Sequence, residues 1–433
     1  MIQSSFPSVD AYVSADPVRL RSLYNSLFAR IHEKERTYRV FSSVPPRIPM
    51  VLEEVDNLIE RCKHSTVLPP LYGVPIGIKG IFRTTGYPIR CGSLLPSDLF
   101  EGPEAAIVGA LRKLGAIIIG NTATAEFACA EPPATCNPLN TAHTPGGSSS
   151  GSAAGVAAGF FPLSVGTQTV GSVIRPAAFC GITGFKPSYG LLPTAGAIYF
   201  SRSVDHVGLF TATSSEMETV FHALTPERAK GRMPDVIRLG VPTGPYLDQA
   251  LPETLAHLDK TLEKLAGARN MPVEIVRIPC FRDIETIAAR HKDLIAAEFM
   301  QEHAGWFERY QAMYRPRTLE MLNHGKHVGA TAIDVGRESQ LELREKLHAL
   351  MRDNGLTAWA CPAALGEADK GLGSTGSAVM SMPWSHTGMP ALTIPAGRGG
   401  QGLPLGLQLV AAFDEDEMLL AAGKALSTAL AAK

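Results

Sequence analysis

The sequence predicts an α/β fold, because segments with helical and strand-like hydrophobic periodicity alternate along the chain. An apolar strand is predicted at 74–79, followed by a helix from about 103 to 115 and a buried strand at 117–119. The composition agrees with a large core, since 45% of the 433 residues are hydrophobic and 19% are charged. A third observation is the stretch 143–176, where apolar residues interrupt Gly, Ser, Ala and Thr. This pattern predicts tightly packed backbone rather than a flexible linker.

Two helices are predicted before the first strand, within about 16–62. Asp16 and Pro17 stand in the order of an N-cap and a first helical residue. An apolar stripe follows at helical spacing, formed by Leu20, Leu23, Leu27 and Ile31. The second helix is predicted at about 49–62. Such a pair can cover a sheet or form an oligomer interface.

The second half of the chain continues the alternation of strands and helices. The predicted elements are a strand at 236–241, a helix at 252–266, a strand at 273–278, a long helical region from about 282 to 353, strands at 357–362, 391–395 and 405–411, and a helix from about 415. We expect the last two strands to pair with each other.

The charge balance gives no reason to expect nucleic acid or an anionic membrane as a partner. The chain has 40 Lys and Arg residues against 41 Asp and Glu, a net charge of −1. No basic flank followed by an apolar run opens the chain, and no apolar stretch reaches about 18 residues. We therefore expect a cytoplasmic protein. Seven scattered cysteines without a CxxC spacing favour reduced thiols over disulfides or a metal site.

The stretch 143–176 offers more than one serine as a nucleophile. The motif GSSSG at 147–151 fits G-x-S-x-G, which would make Ser149 the nucleophile of an α/β-hydrolase. Asp205 and His386 follow it in the order that such a triad needs. A phosphate-binding loop is excluded because no Gly-Lys-Ser/Thr follows. The other hypothesis rests on the second serine cluster, which ends at Ser172.

Both serine clusters and several outlying segments resemble the amidase signature family. The matching motifs are GVPIGIK at 73–79, GGSSSGS at 146–152, GTQTVGS at 166–172, RPAAFCG at 175–181, GFKPS at 184–188, TGMPA at 387–391 and GLPLGLQ at 402–408. They cover most of the chain and occur in the family's order, so the chain is identified from its motifs as similar to this family.

The resemblance implies a Ser–cisSer–Lys triad that uses neither a metal nor a cofactor. Ser172 corresponds to the nucleophile, Ser148 to the bridging serine after a cis peptide bond, and Lys79 to the base. The separation of 24 positions between the two serines is the one usual in the family. The oxyanion hole corresponds to the backbone N–H groups of Thr169, Val170, Gly171 and Ser172.

The chemistry of the residues agrees with this role of Lys79. A serine hydroxyl is a poor nucleophile until a neighbour takes its proton. A lysine can accept that proton only when it is neutral, which burial favours by disfavouring the charged form. Because Lys79 follows Val74, Ile76 and Ile78 on a strand-like alternation, we expect its side chain to be buried.

Three positions depart from the pattern typical of the family. Gly80 stands where most members have Asp after the lysine. The segment usually written TDTGGS reads TQTVGS, with Gln168 for Asp and Val170 for Gly. Because valine is β-branched, its backbone is expected to take a negative φ. Arg175 lies three residues after the nucleophile rather than two. The Gln and the displaced arginine resemble the malonamidase-like branch, in which this arginine faces the substrate and holds a carboxylate.

The resemblance further implies a large, mixed, twisted β-sheet of about eleven strands sandwiched between α-helices. Motifs at 79, 148–172 and 387–408 have to meet at one site, so we expect a single domain over 1–433. Its parts are N-terminal helices at about 16–62, a signature core at about 70–212, and a variable, mostly helical region at about 250–353 before the C-terminal strands and helix.

Several polar residues of the middle region suggest a metal site at first sight. The spacings of His291, Glu298 and His303, and of HGKH at 324–327, fit neither HExxH nor a Cys/His zinc pattern. We expect them on solvated helix faces and in loops. In the family this region helps to shape the substrate pocket. The candidate lining residues here are Trp306, Met313 and Tyr314.

The expected function is hydrolysis of a C–N bond next to a carbonyl, through an acyl-enzyme on Ser172. Amides are the default substrates, carbamates and aryl anilides are close alternatives, and esters should also react. Two alternatives stay open: an amidotransferase A-type subunit that needs partner subunits, and a non-catalytic binding protein on the same scaffold. The expected partners are a small-molecule substrate and, in a homodimer, a second copy of the chain.

Overall fold

One ten-stranded mixed sheet runs through the protein, with helices packed against it. The computed structural model describes residues 6–42, 45–229, 231–268 and 271–432. The strands are β1 (Pro75–Lys79), β2 (Ile117–Thr122), β3 (Leu163–Gln168), β4 (Thr183–Lys186), β5 (His206–Thr211), β6 (Ile237–Thr243), β7 (Val273–Pro279), β8 (Ala358–Pro362), β9 (Ala391–Arg398) and β10 (Pro404–Val410). Their order in the sheet is β2-β1-β3-β5-β4-β9-β10-β8-β6-β7.

Helices lie in every segment where the periodicity predicts them. Within the described residues they are α1 (Val9–Val13), α2 (Pro17–Tyr38), α3 (Ile48–Cys62), α4 (Ala106–Lys113), α5 (Ser150–Ala157), α6 (Ile174–Cys180), α7 (Ser214–Leu224), α8 (Pro252–Ala266), α9 (Ile284–His303), α10 (Phe307–Tyr310), α11 (Pro316–Lys326), α12 (Ala330–Asn354), α13 (Met382–His386) and α14 (Asp416–Ala431). In this part of the chain, none of them is long and apolar enough to cross a membrane. Five of these described helices, α1, α5, α6, α7 and α13, were not predicted.

The mixed α/β architecture is confirmed, with ten strands rather than about eleven in the described residues. Beyond the edge strand β2, Phe41 pairs with Thr122 through a single bridge. One bridged residue pair does not make a strand, which is why the sheet ends at β2. The predicted pairing of the last two strands is present, since β9 and β10 run antiparallel.

Three neighbouring parallel strands bring their carboxyl ends to one edge of the sheet. β1 pairs in parallel with β2, where Lys79 lies opposite Thr122. β1 also pairs in parallel with β3, where Ile78 lies opposite Val165. Parallel neighbours end at the same edge, so the side chains at the end of β1 and just beyond β3 come together there.

The N-terminal helices cover the sheet on the side of β2. Asp16 caps α2 by accepting a hydrogen bond from the Arg19 N–H at 2.8 Å, as the sequence predicts. The apolar stripe of α2 is buried, and α3 packs against β2. A fully buried leucine stabilises the folded state by about 1.5–3 kcal/mol relative to an exposed one, so this stripe fixes α2 on the core.

The small-residue stretch is buried backbone, as predicted. Gly77 of β1 and Gly155 of α5 face the ring of Phe161, and a Cβ on either would lie 2.4 Å or 2.1 Å from its Cζ. No side chain fits at such distances, so glycine lets α5 approach the sheet closely. Every residue of α5 is buried in consequence.

Candidate active site

Lys79 ends β1 with its side chain completely buried. Its Nζ donates hydrogen bonds of 2.8 Å to Ser148 Oγ and 2.8 Å to Thr167 Oγ1. Burial lowers the pKa of Lys79 from 10.5 to about 7, against the opposing effect of the Asp205 carboxylate. A neutral amine is therefore accessible near neutral pH. Thr167 was not among the predicted site residues, although it stands inside the GTQTVGS motif.

Hydrogen bonds to the carbonyl groups of Gly147 and Ser148 hold the backbone around Ser148. The peptide bond between Gly147 and Ser148 is cis, as the resemblance implies. The Ser148 carbonyl accepts the Ala125 N–H at 3.1 Å, and the Gly147 carbonyl accepts Arg175 Nη2 at 2.5 Å. These contacts fix the Ser148 hydroxyl beside the Lys79 amine.

Ser172 lies in the turn between the end of β3 and the start of α6. The residue is 8% exposed. The Ser172 hydroxyl has no hydrogen-bond partner within the described ranges, and its oxygen is not completely buried. It therefore borders space that a substrate can enter. The structure joins Lys79 to Ser148 directly but places no hydrogen bond between Ser148 and Ser172.

The turn at 169–172 exposes a run of unused backbone donors. In the described part of the chain, none of the N–H groups of Thr169, Val170, Gly171 and Ser172 donates a hydrogen bond to another protein group. Unpaired N–H groups beside a hydroxyl are what binding of an oxyanion requires. Val170 does not have a positive φ, as its β-branched side chain predicts.

The side chains of Gln168 and Ser385 stabilise this turn through hydrogen bonds. Gln168 Oε1 accepts the N–H groups of Val173 at 2.8 Å and Ile174 at 3.0 Å. Gln168 Nε2 donates to Ser385 Oγ at 2.9 Å, and that hydroxyl donates to the Val170 carbonyl at 2.6 Å. The Gln that departs from the family pattern thus supports the turn directly. Ser385, on α13, gave no signal in the sequence.

Ser385→Ala is expected to lower the turnover number of a reaction carried out at this turn, with a smaller effect on KM. The change leaves Gln168 Nε2 and the Val170 carbonyl without partners, at a cost of about 1–3 kcal/mol. The loosened turn would present its N–H groups less accurately. Steady-state kinetics and a thermal melt check this, with the exposed Ser215→Ala as the matched control. An unchanged kcat in Ser385→Ala would show that the hydrogen bonds of Ser385 have no part in the reaction.

Asp205 fixes the other end of the turn. Its carboxylate accepts the Thr169 hydroxyl at 2.5 Å and the N–H groups of Phe200 at 2.8 Å and Ser201 at 3.1 Å. Burial raises the pKa of Asp205 to about 6, although these hydrogen bonds and the nearby Lys79 oppose the shift. Asp205 is therefore engaged by the turn and not by a histidine.

The geometry does not support Ser149 as the nucleophile of a Ser–His–Asp triad. Ser149 is completely buried, and its hydroxyl bonds to the carbonyl and the N–H of Thr167 at 3.2 Å and 3.3 Å. His386 instead contacts Ser339 at 2.7 Å and His291 at 3.2 Å. The G-x-S-x-G match at 147–151 is thus a structural segment that carries Ser148.

Arg175 is buried on α6 beside the Gly147 carbonyl. Its Nη2 donates there and to Thr375 Oγ1 at 3.2 Å, while Nε is enclosed without a partner in the described chain. Nη1 makes no hydrogen bond within the described residues and is not among the enclosed atoms. Burial lowers the pKa of Arg175 to about 10, with Asp369 opposing the shift. The guanidinium remains charged at neutral pH.

The expectation of solvated polar residues in the middle region is wrong for His291, Glu298 and His303, which are all buried. Glu298 accepts hydrogen bonds from Ser201 and Ser203 and pairs with Arg337. Long helices in this region pack on one another, so polar groups that look exposed in the sequence lie between them. No group of three or more metal-ligating side chains occurs in the described parts of the chain.

Two of the three predicted pocket-lining residues, Trp306 and Tyr314, lie in an aromatic cluster around His303. The Tyr314 hydroxyl and Trp306 Nε1 lie 2.7 Å and 3.0 Å from His303 Nδ1. Phe127 packs edge-on against His303. Met313 is half-buried. Contact of Trp306, Met313 and Tyr314 with a substrate stays a prediction.

Comparison with known proteins places the chain in a family. A family model described as Amidase matches residues 24–420. The glutamyl-tRNA(Gln) amidotransferase A-subunit of Prochlorococcus marinus (strain AS9601) is 27% identical over 96% of each chain. Its counterpart from Rippkaea orientalis (strain PCC 8801 / RF-1) is 29% identical over 82% of this chain and 83% of its own. A solved crystal structure of an amidase has a TM-score of 0.85 at 26% identity, covering 96% of each chain.

The chain is an α/β protein with a buried, hydrogen-bonded lysine–serine pair at the carboxyl edge of a large mixed sheet. Because the family model spans nearly the whole chain, the protein belongs to the amidase family. The relatives include both amidases and amidotransferase subunits. Membership of the family therefore does not decide between amide hydrolysis and the amidotransferase reaction.

Proposed function

We propose that the protein hydrolyses a C–N bond next to a carbonyl, with Ser172 as nucleophile, Ser148 as bridge and Lys79 as base. The observation that carries this proposal is the run of four N–H groups at 169–172, unpaired within the described chain, beside the accessible Ser172 hydroxyl. A buried Lys79 bonded to Ser148 lies at the same edge of the sheet. The residues thus supply a nucleophile, a proton acceptor and an oxyanion site.

In the proposed first step, Ser172 Oγ attacks the carbonyl carbon while its proton passes to Ser148, and the Ser148 proton passes to neutral Lys79. The carbonyl oxygen becomes an oxyanion that the N–H groups of the turn stabilise. The C–N bond then breaks, and the leaving nitrogen takes the proton back through Ser148. Water attacks the acyl-enzyme by the reverse route, which releases the acid and restores Ser172. Each step uses only this chain's residues and water.

Amides are the first substrates to test, with carbamates, aryl anilides and esters as alternatives. The same tetrahedral chemistry serves all four classes. The test is turnover by the purified chain alone on a matched panel of these compounds. Turnover of a simple amide supports the hydrolase. A folded chain that turns over none of them, ester included, would contradict it.

A second candidate function is that of an amidotransferase A-type subunit. It is favoured by relatives that carry this name and match over 96% of each chain. Such a protein would need partner subunits, so the isolated chain would be slow on simple amides and would gain activity when partner subunits are added. A non-catalytic role is disfavoured, because Lys79, Ser148 and Ser172 are all retained.

Arg175 is proposed to hold a carboxylate of the substrate, as in the malonamidase-like branch. Nη2 of Arg175 donates to the Gly147 carbonyl, whereas Nη1 has no partner in the described residues and is not completely buried. Arginine suits this role because its planar fork matches a carboxylate and stays charged. The same residue would then support Ser148 and select the substrate.

Arg175→Ala is expected to reduce kcat/KM on a carboxylate-bearing amide about ten- to a hundredfold more than on its neutral analogue, since a charge-assisted hydrogen bond contributes about 1.5–3 kcal/mol. Some loss on both substrates is expected from the broken contact with Gly147. A thermal melt separates this part from a loss of fold. Equal losses on the two substrates would assign Arg175 to the scaffold and point to a neutral substrate.

A further inference from the structure

A cavity whose lining does not include the Ser172 turn opens between the end of α2 and the segment that follows β2. Its volume is about 450 Å³. The lining residues are Arg39, Phe41, Ser42, Arg90, Gly92, Ser93, Leu94, Ala123, Thr124, Pro133, Ala134 and Thr135. We propose that this cavity binds an organic carboxylate, meaning an anionic group attached to an apolar body. The proposal does not depend on the reaction assigned to Ser172.

The charge of the cavity comes from two arginines. Arg39 and Arg90 line it, and no acidic side chain is among its described lining residues. Neither guanidinium forms an ion pair or a side-chain hydrogen bond within the described ranges, and both residues are exposed. The carboxylate of Glu35, one turn before Arg39, is used by the N–H groups of Val40 at 3.0 Å and Phe41 at 2.9 Å. Two unpaired guanidinium groups at one cavity favour an anion.

The hydroxyls of the cavity differ in how they are used. Thr135 donates to the Arg39 carbonyl at 2.6 Å and Thr124 to the Ala125 carbonyl at 3.0 Å. Ser42 Oγ, in contrast, is enclosed and has no partner among the described residues. An unpaired buried hydroxyl costs about 1–3 kcal/mol. Because this hydroxyl is enclosed, it is not offered to a ligand, and the two arginines are the charged groups that line the cavity.

Gly80, directly after β1, lies beside this space without adding a side chain to it. A Cβ at Gly80 would lie 3.0 Å from the Thr122 carbonyl oxygen, 3.8 Å from Ser42 Cβ and 3.9 Å from Thr124 Cγ2, and the last two residues line the cavity. Glycine at this position therefore supplies no carboxylate that could pair with the arginines.

The apolar part of the wall selects the kind of anion. Phe41 and Pro133 line the cavity, and Leu94 stands at it with 72% of its surface exposed. Apolar walls with a few placed polar groups are typical of small-molecule sites. An inorganic anion would use the arginines alone, whereas an aryl or alkyl carboxylate also covers Leu94. The combination therefore favours an organic carboxylate.

The test is titration calorimetry of the full chain with benzoate, with benzyl alcohol and inorganic phosphate as comparison ligands. Arg39→Gln and Arg90→Gln are each expected to weaken benzoate binding about tenfold, the loss of one charge-assisted contact. Arg36→Gln is the matched control, because Arg36 is exposed on the last turn of α2 and does not line the cavity. Benzyl alcohol should not bind measurably.

Two outcomes would overturn the proposal. Benzoate binding that survives both cavity variants but is lost in Arg175→Ala would place the carboxylate at the Ser172 site instead. Phosphate that binds as tightly as benzoate would show a general anion site without a role for the apolar wall. Repeating the titration with Ser172→Ala keeps the result independent of turnover. A negative binding result would therefore not bear on the proposed hydrolase activity.

Discussion

Ser172→Ala is expected to abolish amide turnover while the protein keeps its fold. The change removes the atom that would form the acyl bond in the proposed mechanism, and the loss of a serine nucleophile costs about 10⁶-fold in kcat. Because the Ser172 hydroxyl makes no hydrogen bond in the described chain, its removal leaves no partner unsatisfied. Initial rates on the best amide of the panel, with a thermal melt beside them, measure both parts of the expectation.

Ser149→Ala provides the contrasting variant. It loses two hydrogen bonds to the Thr167 backbone, so it should melt earlier yet keep measurable activity. The opposite pattern, an active Ser172→Ala and an inactive but folded Ser149→Ala, would contradict the assignment of the nucleophile.

Lys79→Ala is expected to lower amide hydrolysis far more than hydrolysis of an activated ester. Proton transfer by a positioned side chain contributes about 10²–10⁴-fold, and it matters most when the leaving group is a poor one. An activated phenolate leaves without a proton, whereas an amine does not. Parallel kinetics on an ester and an amide with the same acyl group make the comparison, and equal losses on both would reduce Lys79 to a structural role.

The pH dependence follows from the same residue. Burial lowers the pKa of Lys79 to about 7, so its neutral form, which can accept a proton, prevails above this pH. The rate should therefore rise with pH through an inflection near 7 rather than near the ordinary lysine value of 10.5. A profile of kcat/KM against pH measures this, and the profile of Lys186→Met is the control, because the pKa of that buried lysine is also lowered to about 7. A rate that falls as pH rises through neutrality would contradict the base assignment.

Local features of the fold follow from the sequence alone. The cap at Asp16, the helix at 252–266 and the buried Gly-rich stretch all appear as predicted, because short-range chemistry decides them. The motifs also locate Lys79 and Ser148, whose contact the structure shows. Patterns within one segment carry enough information for these conclusions.

Contacts between distant segments could not be predicted in this way. Ser385 reaches Gln168 across 217 positions, and nothing near Ser385 in the chain marks that role. In the sequence, Glu298 resembles a solvated helix residue. Its partners Ser201 and Arg337 belong to other segments, and only the packing of these segments places them beside it. Burial of a polar side chain depends on what packs against it, and a helical period does not encode that.

In the proposed mechanism, Ser172 is the residue acylated during turnover. Treating the intact protein with a sulfonylating agent and mapping the modified peptides by mass spectrometry tests this assignment. The adduct mass is expected on the peptide that contains Ser172, with Ser149 unmodified and with labelling lost in Ser172→Ala. An adduct on Ser149 in the native protein, with Ser172 untouched, would contradict it.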